Sequence, residues 1–392
     1  MIRGARRLPR SLFKSDMLKP ISNPMFADTD HPLAAEFFPR LFKFRRLDLP
    51  CPFQVPPMGL CLEIAGIIAC AKRAAGRHFS REGSPLKYRR LGKTELKVSV
   101  VGVGAWQFGG EWGKTFTQAE VDAILHQARD LGINFIDTAE CYGDHLSESF
   151  IGKAIEKERD KWVVATKFGH KFHDKFKRTD EYRPDQVLEQ LEGSLRALRT
   201  DYIDLYQFHS LGNEAFDQDD LWTMLDKQVQ AGKIRHLGIS VGKNNNIYQV
   251  DSATRVGAKT LQVVYNRLDR QPEEQVFPSA IRQDLGVLAR VPLASGYLSG
   301  KYRPGATFGE NDVRHRHDPK ERDERLELVE KIRREEVPEG VPMAQWALAW
   351  CLSHPAVTCV IPGCKSPEQV VENAKAAELD LVSDTHPQAW KD

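Results

Sequence analysis

"FIDTAECYGDHLSESFIGKAIEKERDKWVVATKFG", from Phe135 to Gly169, holds one full turn of an alternating pattern. The apolar pair Phe135 and Ile136 runs into Asp137, residues 146–161 read as a helix, and "WVVATKFG" (162–169) reads as a second strand. Both apolar runs are continuous rather than alternating, as expected of parallel strands covered on both faces. A buried carboxylate is costly unless it is paired. Asp137 at a strand end, with Tyr142 in the loop behind it, therefore asks for a chemical reason.

The same alternation extends in both directions. "SVVGVGAW" (99–106) is an earlier strand, and "TQAEVDAILHQARDLG" (117–132) a helix with Thr117 and Glu120 in capping-box spacing and Gly132 as a stop. Beyond Gly169, the strands are "YIDLYQFH" (202–209), "KIRHLGIS" (233–240), "TLQVVYN" (260–266), "GVLARVPL" (286–293) and "AVTCVIPG" (356–363). Between and after them, helices are expected at 183–200, 219–232, 245–257, 277–284, 319–336, 342–354 and 366–379. In the first of these, Val187, Leu188, Leu191, Leu195 and Leu198 fall at helical spacing. Eight strands, each followed by helix, predict an α/β fold of the (β/α)8 TIM-barrel type. The alternative is an open, doubly wound sheet.

Composition sets the outer limits. The 392 residues are 41% hydrophobic, enough for a large core, and carry a net charge of +2, which makes no case for a nucleic-acid or membrane partner. Residues 1–86 hold 10 of the 22 prolines, a net charge of +7 and no sustained period. Their basic start, "MIRGARRLPRSLFK", resembles a weak transit peptide or basic arm. We expect a poorly ordered extension or sequence upstream of the true start, with the barrel domain spanning 87–392. The apolar stretch Met58–Ala71 contains Glu63 and is too short to span a membrane. Seven cysteines, odd in number and without a CxxC, argue for reduced thiols in a cytoplasmic protein. The sequence leaves the oligomeric state open.

A barrel carries its chemistry at the carboxyl ends of its strands. Asp137 ends the second strand, Tyr142 lies in the loop after it, Lys167 ends the third and His209 the fourth. Singly, each has an ordinary explanation: a helix cap, a surface lysine, a satisfied core histidine. Together at neighbouring strand ends they form a set. An ammonium beside a phenol favours the phenolate and makes the phenol a stronger acid, a carboxylate supplies the counter-charge for a buried lysine, and an imidazole can hydrogen-bond a substrate oxygen. That combination suits proton delivery to a carbonyl oxygen whose carbon gains a hydride, without a metal. Trp106, Phe108, Trp112 and His145 are expected to line an apolar mouth.

The chain from about residue 87 onward resembles the aldo-keto reductases. The resemblance rests on "LGKTELKVSVVGVGAWQFGG", "FIDTAECYG", "ATKFG", "YIDLYQFH", "GKIRHLGIS", "LQVVYN", "PLASGYLSGKY" and "IPGCKSPEQVVEN", in that order. It implies a (β/α)8 barrel, a catalytic tetrad at Asp137, Tyr142, Lys167 and His209 with Tyr142 as general acid, and an amino-terminal hairpin over residues 87–99 that closes the barrel bottom. It implies a nicotinamide dinucleotide, NADP(H) or alternatively NAD(H), and a small carbonyl or alcohol substrate.

The resemblance places the cofactor on Ala105 and Trp106, on Asp137, Ser240, Gln262 and Arg290 near the nicotinamide, and on Pro292, Leu293, Ala294, Ser295 and Lys301 along the pyrophosphate. Gly363, Lys365, Gln369, Glu372 and Asn373 would hold the adenosine end, with Lys365 before a helix start as a point charge for a 2′-phosphate. A Rossmann reading of "GVGAW" fails, because a GxGxxG from Gly102 needs glycine where Gln107 stands. The chain departs from the family pattern in three places. Val241 follows Ser240 where many members have asparagine or arginine, Arg290 replaces a frequent aromatic, and Gln369 stands where some NADPH-preferring members have arginine.

Two further readings share these residues. One is a regulatory cofactor-binding subunit on the same barrel, like the β subunits of potassium channels, which often carry asparagine at the place of His209. The other is a metal-dependent barrel hydrolase. The first strand lacks the H-x-H that this would want, and the histidine pair in "HKFHD" (170–174) is its weak remaining support.

Overall fold

The computed structural model describes residues 86–391 apart from 243 and 245. The expectation for residues 1–86 therefore lies, but for Leu86, outside the described residues.

Eight parallel strands form one sheet, in the order β3 (Val103–Gly104), β4 (Phe135–Asp137), β5 (Val163–Phe168), β8 (Ile203–His209), β9 (Ile234–Ser240), β10 (Ala258–Val264), β11 (Gly286–Arg290) and β12 (Cys359–Val360). Parallel bridges from Val101 to Val360 and from Gly104 to Gly363 join the first strand to the last, so the sheet closes into the expected barrel. The closing seam is tight. Gly104 N donates to Pro362 O at 3.0 Å, and a Cβ at Gly104 would meet Ile361 O at 2.5 Å, which only glycine avoids.

Helices α1 (Gln118–Asp130), α2 (Leu146–Ile155), α3 (Pro184–Leu198), α4 (Asn213–Phe216), α5 (Asp219–Gln230), α6 (Ile247–Asp251), α7 (Val276–Arg282), α8 (Pro319–Glu335), α9 (Met343–Leu352) and α10 (Pro367–Ala374) follow the strands. The capping box at the start of α1 forms as its spacing predicts: Thr117 accepts from Glu120 N, and Glu120 accepts from Thr117 N at 2.8 Å. In α3 the buried stripe is Val187, Leu191, Leu195 and Leu198, packed on the strands. The segment expected as a helix over 245–257 keeps only α6. Thr254 N donates to Gln283 Oε1 at 3.2 Å instead of to a helical carbonyl, so the helix stops early.

Two hairpins frame the barrel. Strands β1 (Tyr88–Arg90) and β2 (Lys97–Ser99) pair antiparallel, in the place expected for the amino-terminal hairpin. Their Leu91, Leu96 and Val98 pack with Phe135, Ala165, Leu205 and Leu288, and so plug the barrel interior from below. Arg89 bridges to Ala389, and Trp390 N donates to Tyr88 O at 2.9 Å. The second hairpin, β6 (His170–Asp174) with β7 (Lys177–Asp180), leaves the carboxyl end of β5 at Gly169. The sequence reading contains no such hairpin, and "HKFHD" is its first strand. Among the described residues no helix is long and apolar enough to cross a membrane.

Candidate active site

Inward-pointing residues alternate along each strand, so the last inward position reaches the barrel mouth. On β4 that residue is Asp137, on β5 Lys167 and on β8 His209, with Gln207 one inward position deeper. Lys167 Nζ donates to Asp137 Oδ2 at 2.8 Å, to Thr138 O at 2.6 Å and to the Tyr142 hydroxyl at 3.2 Å. The other Asp137 oxygen accepts from Gln262 at 2.6 Å and Gln207 at 3.2 Å. The carboxylate is thus fully engaged, as a buried charge must be. The rings of Tyr142 and His209 stand nearly perpendicular, their centroids 6.1 Å apart.

Tyr142 is aimed by an unusual turn. Gly143, Asp144 and His145 all adopt positive φ, at 68°, 54° and 63°. Two of the three are not glycine, and such strain persists where surrounding structure over-determines it. The turn is pinned from below: Ser147 donates to Ala105 O at 3.0 Å, and His145 Nδ1 lies 2.5 Å from Glu148 Oε2. His145 therefore faces away from the mouth, and Phe108 lies in the main core against Phe116. Of the four residues expected at the mouth, the cavity is lined by Trp106 and Trp112.

The electrostatics qualify the sequence argument. Burial pushes the Tyr142 phenol up to about 12, outweighing the Lys167 ammonium, which pulls the other way. At rest the phenol keeps its proton. Burial alone would lower Lys167, but Asp137 and Tyr142 overcome it and hold the ammonium above its ordinary value. Burial, reinforced by Lys167, holds His209 well below the ordinary imidazole range, so it is neutral at physiological pH. Its Nδ1 lies 3.7 Å from Cys141 Sγ.

Glu140, Cys141 and His209 bring potential metal-ligating atoms within 4.8 Å of one another. Burial pushes the Glu140 carboxyl up to about 8 and the Cys141 thiol well above its ordinary value.

These groups open onto a cavity of about 320 Å³. Among the residues expected at a cofactor, Trp106, Asp137, Gln262 and Arg290 line it. So do Pro292, Leu293, Ser295 and Gly363. Ala105, Ser240 and Ala294 are buried beside these residues in the chain or in space, with Ser240 Oγ 3.4 Å from Gln262 Oε1. Lys301 is exposed away from the cavity lining. Lys365 precedes α10 and Gln369 lies in its first turn, where it accepts from Lys365 N at 2.8 Å, while Glu372 and Asn373 lie in its last turn. Lys365 Nζ donates to Trp112 O at 2.7 Å, and Glu372 is held by Gln345 and Lys375.

The cavity wall fits a large polar ligand. Trp106 Nε1, Gln107 Oε1, Trp112 Nε1 and Arg290 Nε are buried without hydrogen-bond partners, and buried polar atoms are rarely left so. Val291, Ala294 and Ser295 take positive φ along the same wall. The Gly363 backbone lies directly under the Gln107 amide, which a side chain at 363 would have to displace.

Sequence reasoning missed several groups at the mouth. Gln207 was legible, since it lies two positions before His209 on the same face. Arg178 and His170 come from the unforeseen second hairpin and line the cavity. Glu111, fully buried, accepts from Arg178 Nη2 at 3.2 Å.

Comparison with known proteins places this architecture. A profile described as the aldo/keto reductase family matches residues 100–390. The aldo-keto reductase YhdN of Bacillus subtilis is 33% identical over 296 residues, covering 73% of this chain and 87% of its own. A putative voltage-gated potassium channel subunit beta of Schizosaccharomyces pombe is 30% identical over 323 residues, covering 78% and 92%. The structure of aldo-keto reductase AKR11C1 from Bacillus halodurans, in its holo form, superposes with a TM-score of 0.64 at 32% identity, covering 77% of this chain and 94% of that one. The chain belongs to the aldo/keto reductase family and is an oxidoreductase built on a (β/α)8 barrel.

Proposed function

We propose that the chain reduces an aldehyde or ketone to an alcohol, or runs the reverse reaction, with Tyr142 as proton donor and NADP(H) as the preferred cofactor over NAD(H). The observation that carries this is the Lys167 ammonium, fixed by Asp137 and in hydrogen-bond contact with the one phenol at the mouth. A reduced nicotinamide, when bound, supplies the hydride. Tyr142 hands its hydroxyl proton to the carbonyl oxygen, and Lys167 stabilises the oxygen left behind. The phenol is a poor acid at rest, about 12, so the ammonium contributes most when negative charge develops on it. His209, neutral, orients the substrate oxygen by hydrogen bonding. Asp137 keeps Lys167 charged and in place.

Lys365 and the start of α10 support a phosphate-bearing adenosine end, which favours NADP(H). A second polar contact comes from Lys114, whose ammonium donates to Lys365 O at 3.1 Å. The four described cysteines, Cys141, Cys351, Cys359 and Cys364, are buried free thiols, consistent with a cytoplasmic protein. The residues that the sequence reading assigns to the barrel domain, 87–392, carry every group used here. The channel-subunit likeness lies within the same family, and the complete tetrad geometry favours an enzyme.

The test is Tyr142→Phe. The variant should bind nucleotide, by fluorescence titration with NADPH and NADH in parallel, and lose about 10²-fold or more of carbonyl reduction. Turnover near the wild-type rate would remove Tyr142 as the acid.

A further inference from the structure

The second hairpin changes the charge of the mouth. It leaves β5 two residues beyond Lys167 and brings Arg178, opposite Phe172 in its register, back over the cavity. The guanidinium carbon lies 5.8 Å from the Tyr142 ring centroid. One edge is fixed by Glu111, through Nη2 at 3.2 Å. Among the described residues the Arg178 side chain has no other hydrogen-bond partner, and the residue lines the cavity, so the rest of its donor fork is open to a ligand there. A guanidinium anchored on one side presents a preset bidentate surface for a carboxylate or phosphate.

The remaining lining sharpens this. Asp137 is the one carboxylate among the lining residues, and Lys167 neutralises it. Against it stand Arg178 and Arg290, with His170 packed 4.9 Å from His209, centroid to centroid. Arg290 has no carboxylate partner among the described residues; its one side-chain hydrogen bond there is from Nη2 to Val241 O at 3.1 Å. Arg178 shares its charge with the Glu111 carboxylate, so the uncompensated charge at the mouth is that of Arg290, and with the open edge of the Arg178 fork it favours an anion.

We propose that the substrate is a small carbonyl compound that carries an anionic group, carboxylate or phosphate, within a few bonds of the carbonyl, and that Arg178 grips that group while Tyr142 meets the carbonyl oxygen. This rests on the reductase reading above and narrows it to a substrate class.

The experiment compares matched probes with saturating NADPH: 4-oxobutanoate against butanal, and glyceraldehyde 3-phosphate against glyceraldehyde. The wild-type protein should favour at least one charged probe over its neutral partner by about tenfold or more in kcat/KM, chiefly through KM. The pair that shows the preference identifies carboxylate or phosphate. In the double variant Arg178→Gln, Glu111→Gln, which leaves no buried carboxylate without its partner, the ratio should fall to about one. Arg178→Lys, which keeps the charge and loses the fork, should retain part of it. Calorimetric titration of the NADPH-bound protein with succinate reads the same grip without turnover, and Arg178→Lys should weaken it. Equal use of charged and neutral probes by the wild-type protein overturns the inference and leaves the reductase reading standing. A preference that persists undiminished in both variants overturns the role of Arg178. Turnover of none of the four probes overturns the reductase reading and this inference with it.

Discussion

Glu140 stands directly behind the Tyr142 turn, with Oε1 accepting from His170 N at 3.2 Å and Oε2 without a partner. Burial, then the neighbouring Glu148, raises it from the usual 4.5 to about 8. The folded chain thus holds a proton that the unfolded chain releases. The contribution to stability is fully present below about 4.5 and is lost as pH rises toward 8. Glu140→Gln should therefore flatten part of the decline in unfolding free energy between those limits. Urea melts of both proteins at the two ends of the window check this, and parallel pH profiles would count against it. Glu140 also shows where residue-level reading runs out. Asp137, Tyr142, Lys167 and His209 were legible because a polar group that ends an apolar strand has few structural excuses. Burial is not written in a single residue's neighbours. The ammonium beside Tyr142 suggested an easier acid, whereas full enclosure leaves the phenol at about 12. Arg178 sits in a charged run whose return to the mouth depends on a hairpin that carries no strong turn signal.

At the level of elements, the amino-terminal hairpin works as a plug. Leu91 is fully buried against the strand floor, close enough to Gly286 that a side chain there would collide with it. Leu91→Ala should cost about 2–5 kcal/mol through lost burial and the cavity left behind. Denaturant unfolding measures it, and a loss well under 1 kcal/mol would mean that the plug contributes little. All eight barrel strands could be read in the sequence, because continuous apolar runs bounded by glycine and polar residues recur at a steady interval, whereas this hairpin was expected only through the likeness to the aldo-keto reductases. The second hairpin could not, since "HKFHD" and "KRTD" are mostly exposed and carry no apolar face. The short α6 was overread for a related reason: Thr254 finds a better partner in Gln283, far along the chain, than in its own helix.

For the whole molecule, the eight strands and the hairpin that plugs them lie within residues 86–391. Deleting residues 1–85, with their ten prolines and opposite charge, should leave an active barrel. Thermal midpoint and reductase rate of the shortened chain decide it; a large drop in either would make the extension part of the domain. The pairing of Arg89 with Ala389, and of Trp390 N with Tyr88 O, has a separate consequence. The two ends of the barrel's chain lie side by side in one strip, so the ring of strands has no privileged starting point. A circular permutant that joins Lys391 to Leu86 through a short glycine-serine linker, reopened at the exposed turn of Gly340, should regain the same ring and its turnover. Native circular dichroism with wild-type kinetics would show that the set of contacts specifies the barrel; failure to fold would show that the order in which the strands emerge also guides their closure.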